Sequence, residues 1–141
     1  MNEFQERLNE LLEDHKMSRL QLSKELGITS TTVNGYFNYG YYPQIDIATK
    51  MSKFFNCSLD FLYGLSDNIE NLNIDTGKFF DKFNNLIKES KISIAKTLKD
   101  LKMSETNYYR WRNGLLPKTI NLLEIAKYFN ASIDYLIGNI K

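Results

Sequence analysis

The chain has 141 residues, of which 43% are hydrophobic, and carries 18 Lys and Arg against 17 Asp and Glu. Its single Cys and single His exclude an internal disulfide framework, a cysteine-based zinc site and a multi-histidine metal site, and we expect no cofactor. No apolar run approaches the roughly 20 residues that span a membrane, and the N-terminus lacks signal-peptide features, so we expect a cytoplasmic, mostly helical protein.

Capping residues separate the first three predicted helices. Phe4, Leu8, Leu11 and Leu12 recur at helical spacing in the first helix. Ser18 is followed three residues later by Gln, which is the capping-box pattern that begins a second helix. Gly27 can adopt the left-handed conformation that ends this helix. A third helix is predicted from a Thr29 cap to about Asn38. Its buried side is predicted to comprise Val33, Tyr36 and Phe37.

A loop and two closing helices complete this first unit. Tyr39, Tyr41 and Tyr42 cluster in the loop before Pro43, too many aromatic residues to bury easily. We leave open whether they pack locally or contact DNA or a partner subunit. The fourth predicted helix carries Ile47, Met51, Phe54 and Phe55, and Ser58 caps a fifth.

The sequence then repeats itself. A shift of 75 gives nine identities over 36 positions, and a shift of 74 after Gly40 gives eight over 22. Trp111 falls on the predicted core position of Tyr36, and Lys102 falls on Gly27. The chain is therefore predicted to hold two copies of one all-α unit of five helices, at 1–66 and 78–141, joined by an acidic linker at 67–77.

Charge is distributed unevenly between these segments. Residues 1–66 hold six bases and eight acids (−2), residues 67–77 hold three acids (−3), and residues 78–141 hold twelve bases and six acids (+6). A polyanion would be drawn to the C-terminal copy.

The segments SRLQLSKELGITSTTVNGYFN and SIAKTLKDLKMSETNYYRWRNG resemble the helix-turn-helix of the lambda-repressor/Cro (Xre) family. The two tails, which begin at Pro43 and Pro117, resemble that family's fourth and fifth helices. The resemblance implies an all-α fold of two tandem five-helix domains, each with a third helix that enters the DNA major groove.

The resemblance, together with the outward positions of helix three and the charges near them, gives candidate contacts with double-stranded DNA. In the first copy these are polar or basic residues on helices two and three: Arg19, Ser30, Thr31, Asn34 and Asn38. In the second copy the matching or neighbouring residues are Lys96, Glu105, Thr106, Asn107, Tyr109, Arg110, Arg112 and Asn113. Ile94 stands where the first copy has Arg19.

The two copies differ in what they offer to DNA. The first has the better-shaped polar face, whereas the second has the positive charge that neutralises phosphates. This charge slightly favours the second copy as the electrostatic anchor. Two arrangements remain open: a covalent pseudo-dimer whose copies read unequal half-sites, and a division of labour in which one copy reads DNA and the other pairs two chains in a homodimer.

The sequence therefore predicts a DNA-binding transcriptional regulator, most simply a bacterial or phage repressor that occupies an operator. We expect no enzyme, because no nucleophile–base pairing or phosphate-binding glycine loop is evident. The alternative is a protein-binding module, such as an inhibitor, antitoxin or adaptor, that has the same fold and does not bind DNA.

Overall fold

The computed structural model describes residues 1–141, which form ten α-helices and no β-strand. The first five are α1 (Glu3–Asp14), α2 (Arg19–Leu26), α3 (Ser30–Tyr39), α4 (Ile45–Phe55) and α5 (Leu59–Leu62). The last five are α6 (Phe79–Ser90), α7 (Ile94–Leu101), α8 (Glu105–Arg112), α9 (Thr119–Phe129) and α10 (Ile133–Ile137). The predicted all-helical class is confirmed.

The chain divides into two compact units, Met1–Leu72 with α1–α5 and Asn73–Lys141 with α6–α10. Short polar side chains begin most of these helices. Ser18 accepts from the backbone of Gln21 in a full capping box, as its sequence pattern predicts. Single caps of the same kind are provided by Thr29, Ser58, Ser93, Ser104 and Ser132.

The core of unit 1 packs around Phe4 of α1, which is fully buried and meets the rings of Tyr36 and Tyr63 edge-on or tilted. The predicted inward residues of α3 are confirmed, since Val33, Tyr36 and Phe37 are at most 6% exposed. Gln5 is also buried, and its amide donates to the carbonyl of Phe37 at 2.9 Å, which ties α1 to the end of α3.

The core of unit 2 is built around three buried aromatic residues, Phe79, Phe83 and Trp111. Trp111 is buried, as predicted, and meets Phe79 and Phe83 edge-on at 5.8 Å between ring centroids. Phe80 takes the position of Gln5 and packs on Tyr108, whose hydroxyl donates to Asn84 at 2.6 Å. At this one position, unit 2 therefore has a ring contact between its first and third helices, where unit 1 has the hydrogen bond from Gln5 to the backbone.

The two units have residues with left-handed backbone conformation at corresponding positions. Lys16 and Lys91 have positive φ, and so do Asn56 and Asn130. Gly27 ends α2 at φ 68°, and its counterpart Lys102 ends α7 at φ 56° although it carries a side chain. These are pairs that the sequence repeat aligns, so the two units turn the chain at corresponding points.

The segment 67–77, predicted as a linker, is hydrogen-bonded at both ends and is divided between the units at Leu72 and Asn73. In unit 1 the carbonyl of Ile69 accepts from the backbone of Ser58 at 2.8 Å. In unit 2 the side-chain amide of Asn73 donates to the carbonyls of Asp134 and Asn139. The stretch between these anchors is far shorter than the eleven residues that the sequence suggests.

A cation on the first helix of each unit fixes this segment. The Arg7 guanidinium lies 4.2 Å from the centroid of the Phe61 ring and pairs with Asp67 at 2.8 Å. Lys82, which is 4% exposed, lies 4.3 Å from the Tyr135 ring centroid and pairs with Asp75 at 3.1 Å. In both arrangements, here called the cation clamps, a cation of the first helix lies over a ring of the last helix and pairs with an acid of the 67–77 segment. The repeat aligns the cations and the rings, whereas the acid follows the last helix in unit 1 and precedes the first helix in unit 2.

Candidate nucleic-acid interface

Helices α2 and α3 of unit 1 form a connected pair with an outward polar face. Leu22 and Leu26 of α2 and Val33 of α3 are buried, which fixes the two helices against each other and against the core. Gly27 allows the chain to reverse between them because its left-handed backbone carries no side-chain penalty. The opposite sides of both helices are left exposed.

Arg19 is the organising residue of this face. Its guanidinium carbon lies 4.4 Å from the centroid of the Phe37 ring, and its Nη1 donates to the side-chain oxygens of Asn38 at 3.2 Å and Asn34 at 3.4 Å. All three polar residues are exposed. The structure therefore places together three of the residues that the sequence identifies as candidate contacts.

The other two candidates of unit 1, Ser30 and Thr31, begin α3 and are exposed. They follow the cap Thr29, whose hydroxyl is 2.9 Å from that of Thr32. Short side chains in the first turn of a helix allow its backbone to approach a base edge or phosphate closely. The face of α3 thus presents Ser30, Thr31, Asn34 and Asn38, with the positive charge supplied from α2.

Sequence reasoning missed the role of Phe37 in this arrangement. The periodicity predicts Phe37 as a core residue, and it is 6% exposed, but one face of its ring carries the Arg19 guanidinium. A cation over an aromatic ring is held in place without losing its charge. The sequence signal was an arginine in the first turn of α2 with an aromatic residue late in α3, which becomes informative only when the two helices are packed.

Aromatic residues lie at the end of α3 and just after it, because α3 includes Tyr39, which the sequence placed in the loop. The rings of Tyr39 and Tyr41 stack at 5.3 Å and are 72% and 62% exposed, so the prediction that this loop buries its aromatic residues poorly is confirmed for these two. Tyr41 packs beside Gly35, where an added Cβ would lie 3.1 Å from its ring. Tyr42 instead turns inward, with its ring edge-on to Phe4 at 5.9 Å.

The corresponding face of unit 2 has different chemistry. Its exposed candidates on or beside α8 are Glu105, Thr106, Tyr109, Arg110, Arg112 and Asn113, whereas Asn107 is half-buried. The positions of Arg19 and Phe37 are taken by Ile94 and Arg112, so cation and apolar group are exchanged between the two helices. Ile94 is 42% exposed and Tyr109 is 54% exposed.

Lys96, the remaining candidate, is held by an internal carboxylate. Its ammonium pairs with Asp100 at 3.1 Å, and the Tyr128 hydroxyl of α9 donates to the same carboxylate at 2.8 Å. The Tyr128 hydrogen bond and the Lys96 ion pair lower the pKa of Asp100, and the same hydrogen bond raises the pKa of Tyr128. Asp100 therefore stays ionised and offsets the charge of Lys96.

Comparison with known proteins agrees with this geometry for unit 1. Residues 8–62 match the family model described as helix-turn-helix. Residues of this chain are also 29% identical over 62 positions to the uncharacterized HTH-type transcriptional regulator YobD of Bacillus subtilis (strain 168). That alignment covers 44% of this chain and 55% of the relative, so the chain spans about half the length of the curated relative it matches.

No solved structure matches the chain significantly. No helix is long and apolar enough to cross a membrane. The region that matches the family model contains α2, α3 and every candidate contact of the polar face in unit 1. The matched region, residues 8–62, is thus a helix-turn-helix region within an all-α chain.

Proposed function

We propose that this chain is a sequence-specific DNA-binding transcriptional regulator in which α3 of unit 1 enters the major groove. The observation that carries the proposal is the exposed cluster of Arg19, Asn34 and Asn38, which lies inside the helix-turn-helix match. Asparagine pairs with adenine edges, and arginine pairs with guanine edges or phosphates. The name of the relative, an HTH-type transcriptional regulator, supports the same function.

We further infer that unit 2 is a second copy of the same fold. The aligned caps, the matching left-handed turns and the repeated cation clamps support this inference, although the family match lies within unit 1. We assign DNA reading to unit 1 rather than to unit 2, which the net charge alone favoured. Lys96 is paired with Asp100, and the position of Arg19 is held by an apolar isoleucine.

The proposed mechanism is steric. A protein seated in the groove of an operator excludes other proteins from the same DNA, which is repression without chemistry. We propose no catalytic role for any residue.

Selection of duplexes from a random pool, followed by sequencing of the bound fraction, tests the proposal. We expect enrichment of a short motif and an affinity that falls steeply as salt rises, because phosphate contacts release counterions. The matched control is the Arg19→Ala variant in the same selection. Absence of enrichment at low salt would contradict DNA binding.

That negative outcome would favour the second candidate function, a protein-binding module. Its supporting observation is the set of exposed apolar side chains in unit 2, namely Tyr109, Leu115, Leu116 and Ile120, each more than 50% exposed. Such groups are typical of protein interfaces.

A further inference from the structure

The outward face of α8 in unit 2 carries a pattern that the proposed DNA contact leaves unexplained. Glu105, Tyr109 and Arg112 are four and three residues apart, so they share one side of the helix. All three are exposed, whereas Trp111 on the other side is buried. The face therefore presents an acid at its start, an aromatic ring near its middle and a base at its end.

Neither charge on this face is used within the chain. Glu105 and Arg112 take part in none of the internal ion pairs. At the equivalent positions unit 1 has Ser30 and the buried Phe37, so the charged pair is specific to unit 2. Two exposed charges of opposite sign at the two ends of one short helix can meet if a second helix runs antiparallel to the first.

We propose that the outward face of α8 joins two copies of this chain across a twofold axis. In an isologous contact, residue i of one protomer meets residue j of its partner, and j meets i. The helix spans about 10 Å between Glu105 and Arg112, at 1.5 Å per residue. Antiparallel pairing places each Glu105 opposite an Arg112 and brings the two Tyr109 rings to the axis.

Exposed apolar side chains follow α8 in the chain and stand at the start of α7. Leu115 lies three residues after the end of α8, its backbone N–H donates to the carbonyl of Arg110, and it is 60% exposed. Leu116 is 51% exposed, and Ile94 is 42% exposed at the start of α7. Burial of such side chains drives association, while the two ion pairs set register and direction. A self-complementary face fits a second copy better than it fits a phosphate backbone, which would repel Glu105.

This dimer does not require DNA, so it is tested on the full chain alone. Sedimentation velocity over a range of concentrations should show a species of twice the 16.5 kDa chain mass. Glu105→Arg places like charges opposite each other, and so does Arg112→Glu. We expect each variant to raise the dimer dissociation constant about tenfold or more.

The decisive experiment mixes the Glu105→Arg and Arg112→Glu variants. One then offers two bases and the other two acids, so an equimolar mixture should dimerise more tightly than either variant does alone. Lys127→Glu is the control, because it reverses an exposed charge on α9 rather than on α8. Tyr109→Glu is a second disruptive variant, and far-UV circular dichroism checks that every variant is folded.

Three results would overturn the proposal. They are a wild-type chain that stays monomeric at the highest concentration, a dimer that is insensitive to Glu105, Tyr109 and Arg112, and a mixture that fails to associate. A monomer whose duplex binding is weakened by Arg112→Glu would identify the face as a DNA contact instead. Since the readout is mass, failure of this proposal is distinct from failure of DNA binding by unit 1.

Discussion

At the scale of single residues, the two units exchange the positions of a cation and an apolar residue. In unit 1 an arginine of α2 lies over a phenylalanine of α3, and both are in the helix-turn-helix match. In unit 2 the apolar residue, Ile94, is on the first helix of the pair and the cation, Arg112, is on the second. In unit 1 the positive charge therefore lies on the polar face of α2 and α3. In unit 2 it lies on the face of α8 that also carries Glu105 and Tyr109.

The role of Arg19 can be tested by its removal. We expect Arg19→Ala to weaken binding to a selected duplex about tenfold or more and to lower the slope of log affinity against log salt by about one. Fluorescence anisotropy at several salt concentrations measures both quantities. Lys24→Ala removes the same charge from the other end of α2 and serves as the control. Equal losses in the two variants would mean that net charge, not position, determines binding.

Lys102 shows how a single side chain limits stability. It ends α7 in the left-handed conformation that Gly27 adopts without strain in unit 1. We expect Lys102→Gly to stabilise unit 2 by about 0.5–1 kcal/mol, because the strain of the side chain exceeds the entropy cost of glycine. Urea unfolding followed by fluorescence of Trp111, the single tryptophan, reports on unit 2. Lys99→Gly, inside α7, should instead destabilise it.

At the scale of elements, much of the fold follows from local signals. The serine and threonine caps could be predicted because an N-cap bond joins residues three apart, as at Ser18 and Ser104. The burial of Trp111 could be predicted because the repeat aligns it with Tyr36.

The contacts that shape the candidate sites join residues distant in sequence. Arg7 meets Asp67, and Tyr128 of α9 meets Asp100 of α7. No periodicity links such pairs, because they depend on how the helices pack. The Lys96–Asp100 spacing of four residues is visible in the sequence, but the third member, Tyr128, is added only by the fold.

The cation clamp of unit 2 predicts how the folding stability of this unit depends on pH. A backbone bond from Gly77 and the contact with Lys82 lower the pKa of Asp75 below its ordinary value of 3.8. A lowered pKa in the folded state means that the ionised carboxylate adds stability above pH 3.8, and that this stability is lost as the pH falls through the lower folded value. Lys82 then loses its ionised partner.

We therefore expect Asp75→Asn to reduce the stability of unit 2 at neutral pH and to flatten its loss of stability below pH 3.8. Acid titration followed by Trp111 fluorescence measures both effects. Glu124→Gln, at an exposed site on α9, is the control and should leave the neutral stability unchanged. An Asp75→Asn profile parallel to that of the wild type would contradict the clamp.

At the scale of the whole molecule, the two possible arrangements of the units predict different operators. In one, a single unit reads DNA while the other pairs two chains, and in the other both units of one chain read DNA as a covalent pseudo-dimer. If unit 1 reads DNA and unit 2 pairs two chains, the two reading helices are identical. We expect the selected duplexes to contain a palindrome with half-sites about one helical turn, or roughly 34 Å, apart. Unequal half-sites would mean that α3 and α8, which differ at the outward positions Ser30/Glu105 and Asn34/Tyr109, both read bases within one chain.

The anchored segment between the units also determines where the chain can be cut into working halves. Asn73 bonds to the carbonyls of Asp134 and Asn139, and its own carbonyl accepts from the backbone of Lys141. A fragment that starts at residue 78 discards this closure together with Asp75, whereas one that starts at Asn73 retains both. Separate expression of the halves should therefore divide the gene after the codon for Leu72, and a division at residue 66 would remove the Asp67 partner of Arg7 from the N-terminal half.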